Sequence, residues 1–225
     1  MKYKAVVFDL FETLITEWGH KKYTKNEMCA DLGVERAVFD VYWNEKEQDR
    51  YTGQISFEDS LLYACHHCGK ELDASTLAEV LDKRRKTKAV CFEFVLDEVY
   101  ELLQYLRNSG IKTAIISNCS QEEMMGLPES KICQYFDEII LSYEVHMKKP
   151  DACIYELAAA RLETNLQECI FVGDGGSNEL PGAKAVGMTA IQAKWYTNQL
   201  PIKRDSIEGF LVAEDPHQII EYLLT

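Results

Sequence analysis

Apolar residues fall into two kinds of run that alternate along the chain. Short aliphatic or β-branched stretches lie at Ala5–Phe8, Ile111–Ser117, Glu138–Ser142, Cys169–Gly173 and Thr189–Ala193, with a weaker one at Phe210–Ala213. Runs of this length bounded by turn residues predict buried strands. Between them, helical spacing predicts helices over Phe92–Asn108, Gln121–Met125, Ala152–Arg161 and Leu180–Val186. Pro216 opens a further helix reaching Leu224, as proline does in first turns. Strands alternating with helices predict an α/β fold with a doubly wound, mostly parallel sheet.

The alternation stops between residues 15 and 90. That stretch has helical periodicity and aromatics (Trp18, Tyr42, Trp43, Tyr51) but no strand-like run. A crossover between parallel strands needs only about a dozen residues or more, so the excess predicts an inserted helical module. Gly53-Gln54-Ile55-Ser56 predicts a turn between two of its helices, with Ser56 capping Phe57–Ala64. The expected division is a core domain from 1–14 and 91–225 and a helical domain from 15–90.

Composition narrows the function. Of 225 residues, 47% are hydrophobic, enough for a buried core. The net charge of −13 argues against nucleic acid and anionic membranes as partners. It also requires any phosphate site to be made locally positive. No apolar stretch approaches the ~20 residues of a membrane span. Met1-Lys2 lead into the first strand without a signal-peptide core, so a cytoplasmic location is expected. The eight cysteines are scattered, several within apolar runs, and read as reduced core residues. Cys65-His66-His67-Cys68 has half the spacing of a zinc site and no matching second half. The basic run Lys83-Arg84-Arg85-Lys86, with Lys88, reads as a solvated helix face or, alternatively, as a guide for an anionic substrate.

The candidate chemistry sits at strand ends, where open α/β sheets place their ligands. Asp9-Leu10-Phe11-Glu12-Thr13 follows the first strand, and Ser117-Asn118 ends the second. Lys149-Pro150-Asp151 follows the third, and Gly173-Asp174-Gly175-Gly176-Ser177-Asn178-Glu179 the fourth. An aspartate is ionised at neutral pH without assistance and can attack an electrophile directly. A serine hydroxyl and a lysine ammonium can hold transferring phosphoryl oxygens. Asp174 supplies a hard carboxylate for Mg²⁺, and Gly175 and Gly176 let backbone come close to an ion. Each motif alone has a plainer reading: Ser117-Asn118 as a turn, Lys149 as a surface lysine, Glu179 as a first-turn acid.

Together, in this order, the motifs resemble the haloacid dehalogenase-like (HAD) hydrolase superfamily, in the subgroup with a helical cap inserted after the first motif. The resemblance spans essentially the whole chain. It implies a Rossmann-like core with Asp9 as nucleophile and Ser117, Asn118 and Lys149 on the substrate, Lys148 competing with Lys149 for its role. It implies Mg²⁺ held by Asp9, Asp174, the backbone carbonyl of Phe11 and, through water, Glu179. Two positions depart from the phosphatase pattern. Phe11 stands where most phosphatases of the superfamily carry the Asp that acts as general acid and base, and Glu12 stands where Gly is common. An aromatic at position 11, like Ser117-Asn118, resembles the dehalogenase branch, which displaces halide from carbon without a metal. Retention of both Asp174 and Glu179 favours the metal-dependent reaction. The expected function is therefore Mg²⁺-dependent hydrolysis of a small phosphorylated metabolite through an aspartyl-phosphate. The alternatives are a 2-haloacid dehalogenase and a weakly active, phosphate-binding relative. Glu12 is expected to face away from Asp9, because neighbouring side chains in extended backbone alternate faces.

Overall fold

The computed structural model describes residues 2–198 and 204–224. Six strands, β1 (Ala5–Phe8), β2 (Lys112–Ser117), β3 (Glu138–Leu141), β4 (Cys169–Gly173), β5 (Thr189–Ala193) and β6 (Leu211–Ala213), form one sheet in the order β3-β2-β1-β4-β5-β6. All five pairings are parallel. Ten α-helices are described: α1 (Lys25–Leu32), α2 (Arg36–Glu45), α3 (Glu47–Tyr51), α4 (Phe57–His67), α5 (Ala74–Val90), α6 (Asp97–Asn108), α7 (Ser142–Val145), α8 (Ala152–Arg161), α9 (Glu179–Ala185) and α10 (Gln218–Leu224).

Strand alternation divides the core between the two faces of the sheet. Val6, Phe8, Ile115, Ile170 and Val172 pack on one side with α6 and α10. Ala5, Val7, Ala114, Ile116 and Phe171 pack on the other with α8 and α9. The central strands are apolar on both sides, as a parallel sheet covered by helices requires. Strand order reverses at β1, so the carboxyl ends of β1, β2 and β4 open on a common crevice. The expected fold class, an α/β parallel sheet with an α-helical insertion, is what the structure has.

Helices α1, α2, α4 and α5 have a core of their own around Met28, Phe39, Trp43, Phe57, Leu61 and Val80. Ser56 caps α4 by accepting from Asp59 N. Trp43 is a core residue here, between Phe39 and Phe57. Three predicted helices are shorter than expected, the last of them opening at Gln218 instead of Pro216. The one placed at Phe92–Asn108 begins at Asp97, after a 3₁₀ turn at Cys91–Glu93 and an extended Leu96. The one at Gln121–Met125 is a single 3₁₀ turn closed by a capping box of Ser120 and Glu123.

Part of the basic run on α5 is buried, contrary to the solvated face expected of it. Lys83 is half-buried and Lys86 exposed, and they pair with Asp31, Glu79 and Asp82. Lys88 and Arg84 instead turn inward, onto the loop that follows β2. Lys88 Nζ reaches Glu123 Oε1 at 2.6 Å and also contacts Glu17, while Arg84 Nη2 reaches the same Glu123 oxygen at 2.7 Å. Burial raises the Glu123 carboxyl, but Lys88 and Arg84 outweigh it and hold the group down at about 2. Removing one member of such a buried cluster strands the opposite charge, which costs roughly 3–5 kcal/mol. Lys88→Ala is therefore expected to lower unfolding stability by about that amount, and Lys83→Ala by less than about 1 kcal/mol, both read from urea midpoints.

Candidate active site

The carboxyl ends of the central strands deliver the candidate residues to one place. Asp9 directly follows β1, and its N–H donates to Val172 O at 2.8 Å, continuing the pairing with β4. The turn beyond it is tied down by Trp195 Nε1 donating to Thr13 O (2.8 Å) and Tyr196 OH donating to Leu14 O (3.1 Å). Ser117 ends β2, Asp174 follows β4, Glu179 opens α9, and Lys149 comes from the loop between α7 and α8. Asp9, Phe11, Ser117, Asn118, Lys149, Asp174 and Glu179 all border a single cavity of about 310 Å³. Lys148, the competitor for the lysine role, does not border it.

Lys149 is the hub of this cavity. Its side chain is 2% exposed, and its ammonium bridges Asp9 Oδ1 and Glu179 Oε2, the latter at 2.6 Å. Phe171 supplies a ring face 5.7 Å away. Asn118, expected on the substrate, uses its carboxamide to hold this lysine's backbone. Its Oδ1 accepts from Lys149 N and its Nδ2 donates to Lys149 O, both at 2.8 Å. Ser117 differs. Its hydroxyl is buried, borders the cavity and has no hydrogen-bond partner among the described residues. A buried hydroxyl of that kind is free to bond a ligand atom or a water.

Three carboxylates share the site. Asp9, Asp174 and Glu179 are buried and can each present an oxygen within 4.8 Å of the others. Oxygen donors so placed fit a hard divalent cation. Burial, and next the charge of Asp9, push the Asp174 carboxyl up to about 6 and that of Glu179 up to about 8. Lys149 is held firmly in its charged form despite its burial, since Asp9 and Glu179 outweigh the cost. One ammonium cannot neutralise three acids, so Asp174 and Glu179 hold their protons more tightly than usual, an effect that Arg204 eases at Asp174.

Gly173 and Gly175 each occupy a place where a side chain would clash. A Cβ on Gly173 would collide with the Glu179 carboxylate, which lies across it and accepts from Gly175 N at 3.0 Å. Gly175 has φ +96°, and a Cβ there would stand 2.5 Å from Ile207 Cδ1. The glycines thus make room for a carboxylate and for an apolar neighbour.

Two residues of the site, Arg204 and Tyr155, had no signal in the sequence. Arg204 Nε lies 2.9 Å from Asp174 Oδ2, from a segment without strand or helix pattern, thirty positions beyond its partner. Tyr155 OH donates to Glu179 O at 2.9 Å from the buried face of α8. Glu12 has φ +58°, the left-handed backbone for which Gly is the usual occupant. Its side chain closes the turn, Oε2 accepting from Thr16 Oγ1 (2.7 Å) and Oε1 from Glu17 N (3.0 Å). Trp18 borders the cavity. Among the described residues the three-acid site is the one grouping of metal-ligating side chains, and Cys65-His66-His67-Cys68 forms none. No helix among them is long and apolar enough to cross a membrane.

This fold and site define a hydrolase of the haloacid dehalogenase-like class. The family model for haloacid dehalogenase-like hydrolases matches residues 3–187, and the chain belongs to that family. Among curated relatives it is 26% identical over 202 residues to pyrophosphatase PpaX of Bacillus mycoides (strain KBAB4), covering 87% of this chain and 85% of the other. It is 30% identical over 178 residues to the (S)-2-haloacid dehalogenase of Pseudomonas sp. (strain YL), covering 75% and 73%. Among solved structures, a 2-haloacid dehalogenase from Pseudomonas syringae pv. tomato DC3000 superposes with a TM-score of 0.70 at 18% identity, covering 99% of this chain and 98% of that one.

The raised carboxyls set the pH response of the metal-free protein. Asp174 and Glu179 bind protons more tightly folded than unfolded, where such groups titrate near ~4. As pH rises from there through 6 to 8, the folded state must release protons that the unfolded chain has already lost, so stability falls across that window. Urea midpoints in EDTA are expected to drop between pH 5 and pH 8, and Glu179→Gln to flatten most of the drop.

Proposed function

We propose that the chain is a divalent-cation-dependent phosphatase of small phosphorylated metabolites, with Asp9 as nucleophile. Residues 15–90 act as the cap over a core formed by 1–14 and 91–225. The observation that carries this reading is the trio of buried acids, Asp9, Asp174 and Glu179, beside a buried ammonium and an unpartnered serine hydroxyl. Mg²⁺ would be held by Asp9, Asp174 and the backbone carbonyl of Phe11, with Glu179 behind them, and would supply positive charge against the phosphoryl oxygens.

The protein's own groups account for the rest. A carboxylate oxygen of Asp9 forms a bond to phosphorus as the ester P–O bond breaks, and the electron pair leaves with the alcohol oxygen. Ser117 O–H and the Lys149 ammonium hold the phosphoryl oxygens, which carry the charge in transfer. Water then attacks the aspartyl-phosphate and returns Asp9 and inorganic phosphate. Phe11 offers no proton to the leaving oxygen, and Glu12 has both carboxyl oxygens committed to its own turn. General acid–base help contributes ~10²–10⁴-fold, so phenolic and acyl phosphates, whose leaving groups need no proton, are the better substrates.

A second reading is favoured by Phe11 and by the (S)-2-haloacid dehalogenase relative at 30% identity. In it Asp9 attacks carbon and halide departs, with Lys149 as the resident cation. Release of phosphate from p-nitrophenyl phosphate separates the two. The phosphatase is expected to need Mg²⁺, to stop in EDTA and to be abolished by Asp9→Asn. Chloride release from 2-chloropropionate in EDTA would install the dehalogenase instead. In the phosphatase, Phe11→Asp is expected to raise turnover of a sugar phosphate by restoring part of that ~10²–10⁴-fold assistance. An unchanged or lower rate would remove the missing proton donor as the explanation.

A further inference from the structure

Arg204 lies on the cavity wall, its side chain 40% exposed, with Nε 2.9 Å from Asp174 Oδ2. Its placement is built in. Buried Gln192, on β5, donates from Nε2 to both Asp174 O (3.2 Å) and Asp205 O (3.1 Å) and accepts from Ile207 N at Oε1 (2.8 Å). The segment carrying Arg204 is thereby stapled to the loop carrying Asp174, with Ile207 packed over Gly175. The guanidinium meets its acid through Nε and leaves the Nη groups, which lie over Gly176, without an acceptor among the described residues. Arginine's planar fork is suited to two-point grip on a phosphate or carboxylate, and here that edge is unused. Meanwhile Asp174 Oδ1 accepts from Gly176 N at 2.9 Å, so the acid has neither oxygen unengaged.

We infer that Arg204 is an exchangeable counter-ion. It neutralises Asp174 in the metal-free chain, yields that oxygen when a divalent cation binds, and turns its fork onto the anion bound alongside. This rests on the phosphatase reading of the site. Cation and guanidinium compete for one carboxylate oxygen, so Arg204 weakens metal binding when no anion is present. An anion that draws Arg204 away removes the competition, so metal and anion each strengthen the other's binding by the same factor. Lys149 cannot play this part, being enclosed between Asp9 and Glu179.

Calorimetric titration of Mg²⁺ into the full chain, with and without saturating inorganic phosphate, tests the inference without reference to turnover. The wild type is expected to bind Mg²⁺ more tightly with phosphate by about 5-fold or more. Arg204→Gln is expected to bind Mg²⁺ more tightly than wild type in the absence of phosphate and to lose most of the gain on adding it. Arg204→Lys, which keeps the charge without the fork, should retain the weak metal binding but not the gain. Equal Mg²⁺ affinities for wild type and Arg204→Gln, or an undiminished phosphate gain in the variant, would overturn the role of Arg204 and leave the phosphatase reading standing. Absence of Mg²⁺ binding to the wild type under both conditions would overturn both.

Discussion

An ammonium enclosed by carboxylates is the constraint around which this molecule is arranged. Taking Lys149 out of water is tolerable only because Asp9 and Glu179 reach it from two different strand ends. The parallel sheet provides that convergence. Strand order reverses at β1, so loops distant in sequence open side by side at the same edge. The attraction is lopsided, since Asp174 stands beside the pair and brings a third negative charge. A site with more acid than base suits a cation, and the overall charge of −13 leaves any bound anion dependent on local compensation.

Neutral groups keep these charges in register. Asn118 grips the Lys149 backbone, Tyr155 holds the carbonyl of Glu179, and Gln192 links the Asp174 loop to the segment of Arg204. Each is short-ranged and directional, while the charges they support act over longer distances. The division has a physical basis. A charge tolerates small displacements, but an oxygen that must lie in line with a reacting centre does not.

What could be read from the sequence was whatever repeats or stands beside a strand end. Val6-Val7-Phe8 and Ile170-Phe171-Val172 are apolar on both sheet faces, which marks them as central strands, and the acids after them inherit their position. The helical excess between residues 15 and 90 was legible from the length of the crossover. Arg204 was not legible, because the contact that gives it meaning spans thirty residues and passes through the buried side chain of Gln192. Lys88 misled for the opposite reason. It sits in a row of cations that looks solvated, yet one helical face of α5 turns Arg84 and Lys88 toward Glu122 and Glu123 while Lys83 and Lys86 stay outside. Glu12 lies outside the domain of the alternation rule, because its left-handed backbone is not the extended geometry on which that rule depends.

The cluster of Lys88, Arg84 and Glu123 bears on how freely such modules can be exchanged between relatives. Glu123 belongs to the 3₁₀ turn six residues after Ser117, so the helical insertion is seated on the same short loop that presents the serine hydroxyl. A transplanted helical insertion lacking both basic residues would leave a buried acid facing it without a counter-charge. Grafts that bring residues 120–124 along with the helices keep that junction neutral, and the hybrid boundary belongs after this turn instead of at the end of α5.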